Sequence, residues 1–207
     1  MRVITIVTGT LEENCYIYYD EVSGEGAAID PGGDGGRIIE AAESAGVNIA
    51  VVALTHGHFD HVGAVPDLIR RWGCDVLAGD EPDEVWPKRR GFAVSRVLAK
   101  AILRDSRKIH DDDTFSVGGA SLAVIAAPGH TAGSVCYHDS SAGVLFSGDT
   151  LFFGSVGRTD FKTGNRAAMM KSLAALAKLP PETVVYPGHY RATTIGYELA
   201  HNRYMGE

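Results

Sequence analysis

The segment His56-Gly57-His58-Phe59-Asp60-His61 concentrates three imidazoles and one carboxylate directly after the apolar run 51–54. Neutral imidazole nitrogens and carboxylate oxygens are ligands for zinc and for the harder first-row metals. Because alternate side chains of an extended segment point the same way, His56 and His58 can hold one ion as a pair. Asp60 and His61 lie at the predicted start of a helix. Their side chains are expected to face a little away from the His56 and His58 pair and so to suit a second ion. The segment therefore predicts a metal site; the alternative is a solvated histidine-rich loop.

Composition places the chain among ordinary globular proteins. With 207 residues, 45% hydrophobic and 22% charged, residues 1–207 are expected to form a single domain with a real core. The net charge of -7 disfavours a surface built for nucleic acid or for an anionic membrane. Three widely spaced cysteines indicate neither a disulfide framework nor a thiolate zinc site. The absence of a signal-like start and of a long apolar stretch predicts a cytoplasmic protein.

Apolar periodicity predicts a mixed α and β chain whose element order is roughly duplicated. Each half is predicted as three strands, a helix, a strand and a helix, without a matching sequence repeat. Strands are predicted at 3–7, 15–19, 27–29, 49–54, 75–78, 121–127, 134–138, 144–147 and 183–186. Helices are predicted at 37–45, 62–71, 94–103, 165–178 and from residue 194 onward. The segment 80–105, which includes the basic run 88–90, is predicted to form a surface excursion or a lid.

Three further ligand-type residues, His130, Asp149 and His189, share one context. Each follows a short apolar strand and is directly preceded by glycine, which allows close approach of the backbone. We expect these strand ends to converge with the end of strand 49–54 at one edge of the fold. Together with the four residues of the opening segment they number seven, too many for one tetrahedral ion and suited to two. The other histidines, at 110, 138 and 201, lack this context and are expected to be structural.

Four motifs carry a resemblance to a known family: Thr55-His-Gly-His-Phe-Asp-His-Val-Gly63, Pro128-Gly-His-Thr131, Gly148-Asp-Thr150 and Pro187-Gly-His189. In this order, and over essentially the whole chain, they resemble the metallo-β-lactamase superfamily. The resemblance implies a four-layer αββα sandwich with metals at one edge between its two sheets. It also implies one ion held by His56, His58 and His130, and a second held by Asp60, His61 and His189, with Asp149 bridging them. Many true β-lactamases lack a histidine at the position of His61, so antibiotic hydrolysis is not favoured.

Two longer segments, 148–160 and 186–196, resemble the compact, single-domain glyoxalase II (hydroxyacylglutathione hydrolase) branch. This implies hydrolysis of an S-acylglutathione, such as S-lactoylglutathione, by a metal-bridging hydroxide. Asp60 would both ligate a metal and orient the nucleophile. Arg158 and Tyr190 are the candidate substrate-binding residues. For Arg158 the alternative is a salt bridge to Asp160, and Tyr190 stands where these hydrolases commonly have glycine.

Other chemistries remain open. The persulfide dioxygenases of the same superfamily carry a stretch similar to Gly157-Arg-Thr-Asp-Phe161 and use one iron, but tend to have cysteine at the position of Asn165. Lactonase and phosphodiesterase chemistry uses the same ligands. A purely structural metal site is disfavoured because such sites are usually closed and rich in cysteine. Zinc is the first expectation for the two divalent ions, and iron and manganese accept the same ligands. The acyl group and the oligomeric state stay undetermined.

Overall fold

The structure, a computed structural model, describes residues 1–80 and 93–206, with side chains from residue 97 in the second range. The strands are β1 Arg2–Thr8, β2 Glu13–Tyr19, β3 Glu25–Ile29, β4 Asn48–Leu54, β5 Asp75–Ala78, β6 Arg107–Lys108, β7 Thr114–Val117, β8 Ala120–Ala126, β9 Val135–Asp139, β10 Val144–Gly148, β11 Leu151–Phe152, β12 Ser155–Val156, β13 Val184–Pro187 and β14 Thr193–Thr194. The helices are α1 Gly35–Ser44, α2 Phe59–Val62, α3 Val65–Trp72, α4 Ala93–Asp105, α5 Arg166–Leu176 and α6 Ile195–His201.

Two six-stranded sheets dominate the fold, in the orders β1-β2-β3-β4-β5-β6 and β14-β13-β10-β9-β8-β7. In the first sheet β1, β2 and β3 are antiparallel, and β4 joins β3 in parallel after the crossover helix α1. In the second sheet β8, β9 and β10 are antiparallel, and β13 joins β10 in parallel after α5. Parallel neighbours need such a crossover. The predicted duplication of the element order is therefore confirmed.

Three apolar clusters define the layers. Between the sheets, Tyr18 from β2 packs in one cluster with Tyr137 and Phe146 from the second sheet. The neighbouring β2 residue Ile17 belongs to the cluster under α1, α3 and α4, because successive strand side chains point to opposite faces. A third cluster covers the outer face of the second sheet with α5, represented by Leu173. The expected four-layer αββα sandwich is confirmed.

Differences from the predicted elements have local causes. The helix predicted at 62–71 is α3, which begins at Val65 with Pro66 in its first turn, and the short helix α2 precedes it. Between the two helices, Gly63 lies against the backbone carbonyl of Gly32. The strands β6, β11, β12 and β14 have two residues each, too few to show a period. Helix α4 confirms the helix predicted at 94–103, whereas residues 81–92 of the predicted excursion, with the basic run 88–90, lie outside the described residues.

The expectations from composition about cysteine pairing and about membrane-spanning segments can be checked within these ranges. All three cysteines, Cys15, Cys74 and Cys136, are buried and unpaired. Among the helices that the structure describes, none combines the length and the apolar character needed to cross a membrane.

Candidate metal centre

All seven predicted ligand residues lie together at one edge of the two sheets, where five strands end. The histidine segment follows β4, His130 follows β8, Asp149 follows β10 and His189 follows β13. Asp30, which follows β3, joins them. The expected convergence of strand ends is therefore observed.

The first group consists of three buried histidines, His56, His58 and His130. Nδ1 of His58 lies 2.9 Å from Nε2 of His56 and 2.8 Å from Nε2 of His130. Three ring nitrogens converge on one point from two loops, the one after β4 and the one after β8. Such a trio offers three ligands to one cation and leaves a further position open, as catalytic zinc sites do.

The second group consists of Asp60, His61 and His189. Nε2 of His189 lies 3.6 Å from Oδ2 of Asp60. Asp149 stands between the groups: its Oδ2 lies 3.4 Å from Nε2 of His130 and 3.7 Å from Nε2 of His189, and its Oδ1 lies 3.5 Å from Nε2 of His61. A single carboxylate thus faces both groups, which suits a bridging ligand.

Two buried atoms test whether cations fit here. Nε2 of His61 and Oδ1 of Asp149 have no hydrogen-bond partner in the part of the chain that the structure describes. Leaving such atoms unpaired in the interior is costly, and a cation between them would satisfy both. This histidine and carboxylate cluster fits divalent metal ions. Which residue ligates which ion stays a prediction.

Contacts on the far side of the imidazoles orient the rings. Nδ1 of His130 donates to the backbone oxygen of Arg158 at 2.9 Å, which directs Nε2 into the site. Nδ1 of His61 donates to Oδ2 of Asp30 at 2.9 Å. Nδ1 of His56 lies 3.1 Å from the Thr55 hydroxyl, which itself donates to Asp30 at 2.6 Å. Partners of this kind fix the tautomer and the orientation of metal-binding histidines.

Asp30 was not among the residues that the sequence analysis predicted for the site. Its oxygens accept from the Thr55 amide, the Thr55 hydroxyl and His61, so it supports the ligands. Asp30, His56 and His61 also form a group whose ligand atoms lie within 4.8 Å of one another. The signal was present, because Asp30 follows an apolar strand as His130 does. Glu13 was missed too: its carboxylate is buried, accepts from Thr8 at 2.8 Å and lies 3.8 Å from Nδ1 of His61.

Burial and neighbouring charges shift the pKa values of the residues in the cluster in different directions. Burial, with the charges of neighbouring histidines, holds the pKa of His56 well below its usual value, and burial lowers the pKa of His58 to about 3. Both imidazoles are therefore neutral, the form that binds metal. Burial raises the pKa of Asp60, but the hydrogen bond from His189 and the charge of His61 outweigh it and lower that pKa. Burial by itself lowers the pKa of His61. The negative charges of Asp149 and Asp30 outweigh burial, so the pKa of His61 is raised.

Hydrogen bonds connect the loop that carries His189 to strand β2 of the first sheet. The Tyr16 hydroxyl donates to the Pro187 oxygen at 2.6 Å, and the Asn14 amide donates to the Pro187 and Tyr190 oxygens at 3.0 and 2.7 Å. Gly188 is required by packing: a Cβ there would lie 2.5 Å from Oδ1 of Asp149. The predicted role of glycine in close approach holds at this position.

A cavity of about 430 Å³ opens beside the cluster. Both candidate substrate-binding residues, Arg158 and Tyr190, line it. The Arg158 guanidinium binds Asp160 through two 2.6 Å contacts and lies over the Phe161 ring at 4.4 Å. The alternative proposed for Arg158, a salt bridge to Asp160, is thus formed, while the side chain stays 61% exposed at the cavity. The remaining wall is largely apolar, with Leu11, Phe59, Phe152 and Val156.

The three other histidines lie outside both groups. His110 is exposed and lies 3.3 Å from Asp80, and His201 stacks on Tyr197 at the surface. His138 lies on β9. Among residues 1–80 and 93–206, the groups that could hold a metal ion contain none of these three histidines, which agrees with the prediction.

Comparison with known proteins agrees with this geometry. The family model of the metallo-beta-lactamase superfamily matches residues 8–189. Hydroxyacylglutathione hydrolase GloC of Haemophilus influenzae is 31% identical, covering 99% of this chain and 98% of GloC. The BLEG-1 B3 metallo-beta-lactamase structure superposes with a TM-score of 0.85 at 30% identity over all of both chains. TTHA1623, solved in a di-iron-bound form, superposes with a TM-score of 0.83 at 31% identity over 98% of this chain and 100% of its own. The chain belongs to the metallo-beta-lactamase superfamily.

Proposed function

We propose that this protein is a glyoxalase II-type thioesterase that cleaves S-acylglutathione, such as S-lactoylglutathione, to a hydroxy acid and glutathione. One observation carries the proposal: two histidine and carboxylate groups, which share Asp149, open into a cavity with the cation Arg158 at its wall. The similarity to GloC, which is named a hydroxyacylglutathione hydrolase, supports the substrate class.

The residues of the cluster would have separate roles in the reaction. His56, His58 and His130 would hold one divalent ion, Asp60, His61 and His189 another, and Asp149 would contact both. Divalent ions bound there would supply a water whose pKa is lowered from 15.7 toward about 7, and a positive charge for the thioester carbonyl. The Asp60 carboxylate would accept a hydrogen bond from the attacking water and so orient it. The glutathione sulfur would leave as a thiolate, and a thiol pKa of about 8.5 makes a separate general acid unnecessary.

Arg158 would anchor the glutathione part of the substrate. Its ion pair with Asp160 lies at the surface, with side chains 61% and 67% exposed, where such pairs contribute little free energy. A carboxylate of glutathione can therefore replace Asp160 as the partner of the guanidinium. Arg158→Ala is expected to raise KM for acylglutathiones with metal content unchanged.

Two alanine variants test the proposal. His56→Ala and Asp149→Ala are expected to lose bound metal and at least 100-fold in kcat/KM for S-lactoylglutathione, because each removes a ligand. His110→Ala, an exposed histidine outside the cluster, is the matched control and should keep both properties. Metal analysis accompanies each assay and identifies the ion. Full activity of chelator-treated, metal-free protein would refute the proposal.

Persulfide dioxygenase activity is the second candidate. The stretch 157–161, which resembles that of the dioxygenases, contributes Arg158 and Phe161 to the cavity beside the cluster. Asn165, where those enzymes tend to have cysteine, caps α5 by accepting from the Ala168 amide at 3.0 Å. Oxygen uptake with glutathione persulfide, in the absence of thioester hydrolysis, would establish this alternative. A chromogenic β-lactam belongs in the same assay panel because BLEG-1 is similar over its whole length.

A further inference from the structure

Tyr190 adopts a backbone conformation that its side chain does not favour. Its φ is +69°, in the left-handed region that bulky residues rarely occupy. The ring is nevertheless 69% exposed and meets mainly Phe152, at 5.5 Å between ring centroids, and the adjacent His189. Packing within the fold therefore does not explain why a tyrosine stands here. Strain of this kind beside a reaction centre points to a role in ligand binding.

Leu11 is a second exposed apolar side chain at the same place. It lies between β1 and β2 and is 51% exposed, and Val7 at the end of β1 is 47% exposed. Leu11 and Tyr190 both line the cavity beside the metal cluster and also a neighbouring cavity of about 480 Å³. The neighbouring cavity is completed by Val7, Glu12, Asn14 and His189. The two cavities share Leu11, His189 and Tyr190, and we call the exposed pair Leu11 and Tyr190 the ridge between them.

Charge differs between the two sides of this ridge. On the metal side Arg158 is the cation among the described lining residues. On the far side the exposed acid is Glu12, and the described lining there holds no lysine or arginine. An anionic thiol such as glutathione therefore suits the Arg158 side. On the far side Glu12 disfavours a second anion, and the exposed side chains of Val7, Leu11 and Tyr190 offer apolar surface to an uncharged group.

We propose that this enzyme prefers thioesters whose acyl group is a longer apolar chain lying over Leu11 and Tyr190 into the second cavity, with the anionic thiol on the Arg158 side. This inference rests on the proposed thioesterase function. A lactoyl group, with three carbons and a hydroxyl, offers less apolar surface to the ridge than a longer acyl chain does. Each methylene that leaves water there raises kcat/KM by up to about fourfold, and by less where burial is partial.

The test is a chain-length series on one thiol, assayed with metal-loaded enzyme: S-acetyl-, S-lactoyl-, S-butanoyl- and S-hexanoylglutathione. We expect kcat/KM to rise about tenfold from acetyl to hexanoyl. In Tyr190→Gly, which accepts a positive φ without strain, and in Leu11→Ser this ratio should fall to about threefold or less. Val22→Ser is the matched control, because Val22 is 96% exposed in the turn before β3, at the other end of that strand from Asp30. A flat series, or an unchanged ratio in Tyr190→Gly, would overturn the inference.

A binding measurement separates this inference from the proposed function. S-methyl- and S-hexylglutathione are thioethers that cannot be hydrolysed, and calorimetry gives their affinities directly. We expect S-hexylglutathione to bind about tenfold more tightly, with the advantage reduced in Tyr190→Gly. No hydrolysis of any acylglutathione would refute the thioesterase alone, whereas equal affinities of the two thioethers would refute the apolar ridge.

Discussion

Oδ2 of Asp30 accepts a hydrogen bond from Nδ1 of His61 at 2.9 Å, on the side of the ring opposite the unpaired Nε2. Both side chains are buried, so the carboxylate fixes the tautomer that points Nε2 toward Asp149. The ring that completes the second ligand group is therefore held by a residue from a different strand end.

Asp30→Asn should weaken metal binding without unfolding the protein. The amide can still accept from Thr55, but its NH2 cannot accept from His61, so the ring loses its fixed tautomer. We expect metal affinity to fall about 10–100-fold. Competition with a chromophoric chelator measures this. Asp105→Asn, at an exposed position paired with Arg104, is the control, and equal affinities in both variants would contradict the role of Asp30.

Gly188→Ala should damage the site by displacing Asp149. The added Cβ would lie 2.5 Å from Oδ1 of Asp149 and 2.8 Å from Cε1 of His61, distances that require one of them to move. We expect at least a tenfold loss of kcat/KM together with reduced metal content. Gly36→Ala is the matched control, because its Cβ would meet nothing within 4 Å in α1, and it should raise stability by about 0.5–1 kcal/mol. Normal metal content in Gly188→Ala would argue against this packing.

Glu198→Ala should affect both stability and substrate binding. This buried carboxylate accepts from the Thr193 hydroxyl at 2.6 Å, the Gly154 amide at 2.9 Å and the Asn202 amide at 2.8 Å, which ties the β11–β12 hairpin to α6. Leaving these donors unpaired should cost about 2–5 kcal/mol. The hairpin carries Phe152 of the cavity wall, so KM should rise while metal content stays unchanged. Denaturant unfolding and steady-state kinetics measure the two effects, with the exposed Glu40→Ala as control.

Asp139→Asn should lower stability in a pH-dependent way. Asp139 accepts from the Tyr18 hydroxyl at 2.6 Å, from the Ser141 amide at 2.9 Å and hydroxyl at 2.6 Å, and from the Ala142 amide at 3.0 Å. Burial raises the pKa of this carboxyl, but the hydrogen bonds from Ser141 and Tyr18 outweigh it and lower the pKa. Because the folded pKa lies below the unfolded value near about 3.9, the stabilisation is complete above that pH and is lost as pH falls through the folded pKa.

The variant should therefore be less stable by about 1–3 kcal/mol at pH 7, with the difference shrinking only below about pH 4. Urea unfolding from pH 7 to pH 3 measures this, with chelator present so that acid-driven metal release does not contribute. Tyr18→Phe, which removes one of the four hydrogen bonds, should show a smaller loss. A difference that already disappears at pH 6 would contradict the assignment.

The positions of ligand-type residues and the order of strands and helices along the chain could be predicted because both are local properties. Imidazoles at 56, 58 and 61 and ligand-type residues after apolar runs can be recognised along the chain without knowing any partner. Successive side chains of a strand point to opposite faces, so Ile17 and Tyr18 of β2 belong to different clusters. The duplicated order of strands and helices then leaves few ways to arrange two sheets.

Partners distant in sequence were decided only by the tertiary structure. Asp30 lies 31 residues from His61, and the Asn14 amide reaches Tyr190 across 176 residues, so no periodicity connects them. The positive φ of Tyr190 also became visible only in the fold. The sequence by itself determined which atoms are available to hold metal, because ligand chemistry is a property of residue types. Only the tertiary structure decided what orients those atoms and what shapes the substrate cavity, because hydrogen bonding and packing depend on which strand ends meet.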